Sequence, residues 1–113
     1  MTPSKFIGEL FHSRDTMHIA HLQTTSFAEH KALNGYYDNI LDLTDKFIEA
    51  YFGRFKRVEI IIPEAKIQGS TEHLKEMQQL IDGERANYPS ELQNIMDEML
   101  ALVDKTLYLL TLV

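Results

Sequence analysis

Residues 26–53 read SFAEHKALNGYYDNILDLTDKFIEAYFG. Ser26 followed by Glu29 is a capping box. The serine oxygen accepts from the backbone N–H three residues on, and the glutamate reaches back to the serine's own N–H. Beyond this start Leu33, Tyr37, Ile40, Phe47, Ile48 and Tyr51 supply an apolar stripe at helical spacing. Gly53 is a natural residue just past a helix end. The stretch therefore predicts one long helix, B, and its length sets the dimensions of whatever packs on it.

The neighbouring sequence predicts three more helices. Helix A spans about Ser4 to Thr24, with Thr2 or Ser4 as cap and Pro3 tolerated in the first turn. Its apolar positions are Phe6, Ile7, Leu10, Phe11, Met17, Ile19 and Leu22. The short link between A and B makes them antiparallel neighbours. Residues 54–69 break the helical pattern with a basic cluster (Arg54, Lys56, Arg57), a β-prone run from Val58 to Ile62, and Pro63. Helix C, capped by Ser70 or Thr71, carries Leu74, Met77, Leu80 and Ile81, and ends at Asp82-Gly83 or frays on to Asn87. Ser90 and Gln93 form a second capping box for helix D, with Leu92, Ile95, Met96, Met99, Val103, Leu107 and Leu110. Two helical hairpins joined by one long crossover between B and C describe an all-α, ferritin-like four-helix bundle, a single domain over residues 1–113.

Composition narrows the chemistry. A chain of 113 residues makes a small core, which oligomerisation would help to cover. The absence of cysteine excludes a disulfide framework, a cysteine nucleophile and a thiolate metal site. A net charge of −6 repels nucleic acid and attracts cations. DNA binding is therefore not expected, since Arg54, Lys56 and Arg57 are few cations for a phosphate backbone. No secretion signal and no membrane-length apolar run is visible, so a cytoplasmic location is expected.

Helix B carries a polar stripe of Asn34, Asp38, Asp42, Asp45 and Glu49. Eleven residues turn a helix by about 1100°, which leaves about 20° between Asn34 and Asp45, or between Asp38 and Glu49. The simplest reading is a solvated face. Gly35 beside that stripe costs about 1 kcal/mol against alanine and suggests that another backbone approaches closely. Of the five histidines, His12 follows Glu9 in a Glu-x-x-His arrangement, but helix D has no histidine to complete a di-iron pair of such motifs. Glu9, His12 and His73 are expected at the surface.

The segment from His18 to Glu49 resembles the Dps proteins, the miniferritins. Their pattern of two histidines, a tyrosine and Asp-x-x-x-Glu is similar to His18, His30, Tyr37, Asp45 and Glu49 here, and Phe27 stands where the family has an aromatic residue before its second histidine. The ending Lys105-Thr106-Leu107-Tyr108-Leu109-Leu110 is similar too. The chain looks closest to the short Dps-like proteins of some bacteriophages. It departs from the family at Asn34, where the family has an aspartate, at Ile19, where many members have tryptophan, and in its short length. The resemblance implies ferroxidase chemistry at His18, His30, Asp45 and Glu49, with Asn34 beside them as a weaker ligand. It implies iron, single or paired, with another divalent metal as the alternative.

Helix length constrains any such site. His30 and Asp45 are about 22 Å apart along one helix, too far to share a metal. An antiparallel pairing of helix B with its copy, about an axis near residues 37–38, brings His30 of one subunit to Asp45 of the other. The expected partner is thus a second copy, giving at least a dimer, with no membrane. If the chain is phage-encoded, the location is the host cytoplasm. The alternative is a redox-inactive, ferritin-like oligomeric scaffold or virion-associated interaction protein.

Overall fold

In the computed structural model, which describes residues 1–66 and 68–113, helix α1 spans Pro3–Gln23 and α2 spans Phe27–Arg54. Helix α3 spans Ser70–Glu84, a 3₁₀ turn covers Arg85–Asn87, and α4 spans Ser90–Leu110. The described residues contain no strand. Thr2 caps α1 by accepting from the Lys5 N–H, and Ser26 caps α2 by accepting from the Glu29 N–H at 3.2 Å. Three expected boundaries are corrected. Ser70 and Thr71 are the first residues of α3 rather than its cap, and Gly69 precedes them without a side-chain cap. Helix α2 runs through Gly53 and stops at Phe55, and no glycine has a positive φ, so Gly53 serves no left-handed cap. Ser90 is the first residue of α4 rather than its cap, and the Gln93 side chain donates instead to the Arg85 carbonyl.

The helices pack in the cyclic order α1, α2, α4, α3, with α1 and α3 touching more lightly. Phe6, Ile7, Leu10, Met17, Leu33, Tyr36, Ile40, Phe47, Leu74, Ile81, Leu92, Met96, Met99 and Val103 fill the core. Tyr36, not Tyr37, is the core tyrosine of α2. Ile19 and Leu22, expected in the core, are exposed, because among the described residues no helix covers that side of α1.

The connection from α2 to α3 lies along α1. The Ile61 N–H donates to the Ser4 carbonyl at 3.2 Å, and the Ile61 backbone rests against Gly8. Farther on, Ala65, Lys66 and Gln68 border Thr16, Ile19 and Gln23 of α1. The start of α3 lies beside Glu29, at the α1–α2 turn. Helices α2 and α3 therefore begin at the same end of the bundle.

A buried polar chain ties three helices together. Tyr36 Oη is 2.6 Å from Ser13 Oγ, and Ser13 Oγ is 2.8 Å from His73 Nε2. His73 is thus buried rather than at the surface. The assignment that satisfies both hydroxyl protons has Tyr36 donating to Ser13 and Ser13 donating to His73 Nε2, which puts the imidazole proton on Nδ1. Burial, aided by His12 nearby, pushes the His73 pKa down from 6.5 to about 4.

The packing can be tested at Gly8 and Gly35 by stability, and at His73 by its pH dependence. A Cβ at residue 8 would overlap the Ile61 carbonyl, whereas one at residue 35 meets nothing. In unfolding measured with chelator present, Gly8→Ala should destabilise by about 1–3 kcal/mol through overpacking. Gly35→Ala should stabilise by up to about 1 kcal/mol through helix propensity. The second concerns pH. His73 stays neutral in the folded chain below the pH at which it protonates in the unfolded one. Its contribution is complete above about pH 6.5 and is lost as pH falls toward 4. The melting temperature should fall through that window, and His73→Gln should flatten the fall; an unchanged slope would contradict the assignment.

Candidate functional site

The three-residue link between α1 and α2 is closed by Thr24, whose hydroxyl accepts from the Ser26 N–H at 3.2 Å. This brings His18 and His21 of α1 against His30 and Tyr37 of α2. His21 Nδ1 donates to the His30 carbonyl at 2.5 Å, and His30 Nδ1 donates to the His21 carbonyl at 2.8 Å. The two rings stack with centroids 3.6 Å apart. A carbonyl only accepts, so both imidazoles must carry a proton on Nδ1. In the neutral ring the lone pair is then on Nε2. Binding Nδ1–H to a backbone carbonyl is how metal-ligating histidines are commonly oriented.

His18 lies flat on Tyr37 at 4.1 Å, and the Tyr37 hydroxyl donates to Asn34 Oδ1 at 2.8 Å. His21, only 6 % exposed, sits between, with its ring 6.1 Å from His18 and 5.1 Å from Tyr37. Phe27 is 74 % exposed and stacks toward His30 at 6.4 Å. The structure thus gathers His18, His30, Asn34 and Tyr37 at one end of the α1–α2 hairpin.

Asp45 and Glu49 are not part of this cluster. They stand farther along α2, exposed and in no ion pair among the described residues, about 22 Å of helix beyond His30 in the case of Asp45. Asn34, Asp38, Asp42, Asp45 and Glu49 are all exposed and fall within about 80° of arc. Among the described residues no three His, Asp or Glu side chains are grouped so as to hold a metal within one chain.

Sequence reasoning missed His21. Its signals are the three-residue offset from His18, which places both on one face of α1, and its position across the turn from His30. Away from this cluster a concavity of about 390 Å³ opens between α1, α3 and the connecting segment. Glu9, His12, His73 and Glu76 line it, and the Lys66 ammonium stands 3.3 Å from Glu76. Glu9 and His12 are only half-exposed there. Among the described residues no helix is long and apolar enough to cross a membrane.

Comparison with known proteins adds a family and a relative. The chain is 31 % identical over 117 residues to an uncharacterized 14.6 kDa protein of the mobD–ri intergenic region of Enterobacteria phage T4, a match that covers 97 % of this chain and 91 % of the relative. No solved structure matches. The profile of a family of unknown function, DUF5856, matches residues 21–110, from His21 of the hairpin cluster to the last residue of α4, and the chain belongs to that family.

Proposed function

We propose that the protein is a miniferritin-like ferroxidase whose site is shared between two copies paired antiparallel along α2. Fe(II) is the substrate. His18 and His30 of one copy supply neutral nitrogen ligands, and Asp45 and Glu49 of the other supply carboxylates, a mixed donor set that suits iron. Asn34, which accepts from Tyr37, borders the ligands and helps to position the tyrosine beneath His18. Two Fe(II) ions each give one electron to hydrogen peroxide, which takes two protons and leaves as two waters; dioxygen is the alternative oxidant.

The observation that carries this reading is the fixed tautomer of His30. Its Nδ1 proton is committed to the His21 carbonyl, so its Nε2 lone pair is available, and no partner for that nitrogen exists among the described residues. Helix length supplies the need for a second chain. The path of the α2–α3 connection, with α2 and α3 beginning at one end, fits the ferritin-type arrangement of two hairpins and one long crossover. The phage relative fits a phage-encoded protein acting in the host cytoplasm. A second reading, a redox-inactive oligomeric scaffold or virion-associated interaction protein, is favoured by one fact: the His18–Tyr37 and His21–His30 stacks close the hairpin without any ligand.

The test is complementation between chains. His30→Ala and Asp45→Ala should each abolish iron oxidation. After unfolding and reassembly together they should recover about a quarter of wild-type activity, because half the dimers are mixed and each mixed two-fold dimer has one intact site. If the subunits exchange and nothing returns, the shared site is wrong. If the wild type oxidises Fe(II) no faster than buffer, the scaffold reading replaces it.

A further inference from the structure

The connection from α2 to α3 includes Lys56-Arg57-Val58-Glu59-Ile60-Ile61-Ile62-Pro63-Glu64, and it runs from residue 56 to residue 66 without a turn or bend. Ile60, Ile61 and Ile62 are 38 %, 42 % and 56 % exposed. Single apolar side chains at a surface need no explanation, but three consecutive ones form a patch. They are also β-branched, which suits a strand better than a loop.

The backbone of this segment has one edge in use and one open. The Ile61 N–H donates to the Ser4 carbonyl, and the Ile61 carbonyl rests on Gly8. In an extended chain the N–H and C=O of one residue point the same way, and those of its neighbours point the opposite way. Ile60 and Ile62 therefore direct their polar groups away from α1, where they have no backbone partner among the described residues. Pro63, which has no N–H, falls on the α1 side, so the open edge loses nothing to it. An open edge of this kind is a template for another strand.

The charge pattern selects the strand. Lys56 and Arg57 stand at one end of the run and Glu64 at the other, and neither they nor Glu59 are in an ion pair among the described residues. A parallel copy would set like charges side by side, whereas an antiparallel copy sets opposite charges together. Centred on Ile60, it places Lys56 opposite Glu64 and Val58 opposite Ile62, in both directions by symmetry. Centring one residue earlier puts Glu59 opposite itself, and one residue later puts Lys56 opposite Lys66. In the Ile60 register the hydrogen-bonded pairs fall on the even-numbered residues, whose polar groups are the ones on the open edge. Backbone and charge thus agree on one alignment.

We infer that residues 56–64 form a two-stranded antiparallel ribbon with the same segment of a second copy, about a two-fold axis at Ile60. The contact is isologous, and it would cover the three isoleucines of each chain in part. Combined with the α2 pairing it would give each chain two different self-contacts, and assembly would pass beyond a dimer. It uses no residue of the shared site, so iron oxidation neither supports nor removes it.

The test reads disulfide formation in a glutathione redox buffer at micromolar protein, in a chain that has no cysteine of its own. Ile60→Cys should bond to its own copy, because a hydrogen-bonded pair stands about 5.5 Å apart between Cα atoms, within the reach of a disulfide. Ile62→Cys is the control. It is the more exposed position, but in this register it lies about 14 Å from its own copy, four residues along the strand, and should stay reduced. In the Ile60→Cys background, Lys56→Glu alone and Glu64→Lys alone should each slow bonding at least tenfold. The two together should restore it, because the pairs are re-formed with their signs exchanged. All these side chains are exposed, so the melting temperatures of the reduced variants should stay near that of wild type. The inference is overturned if Ile60→Cys stays reduced, if Ile62→Cys bonds as fast, or if the double reversal is as slow as the single ones.

Discussion

The closure of α1 onto α2 rests on a reciprocal exchange at the hairpin end: His21 donates to the backbone of residue 30, and His30 donates to the backbone of residue 21. Each bond holds one ring against the other helix, and the stacking at 3.6 Å follows from the two together. Everything proposed for the outer face depends on this exchange. It sets the register in which His18 meets Tyr37, and it commits both Nδ1 protons to backbone carbonyls. It also gives the short turn, capped at Ser26, a fixed exit angle for a helix of 28 residues. Loss of either ring would free the hairpin end and the ligand orientation at once.

A rigid helix of that length has a second consequence. One subunit can present histidine at one end and carboxylate toward the other, but it cannot fold back to join them. The bundle cannot help, because the face that carries Asp38, Asp42, Asp45 and Glu49 points away from the core made by Leu33, Tyr36, Ile40 and Phe47. In the proposed reading a second chain completes the set. A solvated face gains from alanine at residue 35, whereas a helix contact gains from glycine.

The main elements were legible because local signals agreed. The Ser26 cap, the apolar stripes and the Pro63 break each act over a few residues, and all four helices formed where these pointed. Less was legible where two neighbours competed or the partner lay far away. Tyr36 and Tyr37 differ by about 100° around α2, and either extends an apolar stripe; Tyr36 wins because Ser13 offers its hydroxyl a buried partner. His73 looks like a surface residue in a first helical turn, and its partner Ser13 is 60 positions upstream, beyond any local pattern. Gly53 lacked the left-handed backbone that would have made it a stop. For the candidate site, His18, His30, Asn34 and Tyr37 do come together, while the separation of Asp45 and Glu49 was already implied by helical rise.

The central claim is that α2 pairs with its own copy antiparallel about residues 37–38. The chain has no cysteine, so single thiols can be placed without background. Asp38→Cys should cross-link to its copy through a short bis-maleimide. Lys31→Cys, on the same face but about 20 Å from its copy in that register, should not. Cross-linking of Lys31→Cys as fast as Asp38→Cys, or of neither while the protein is dimeric, would contradict the account.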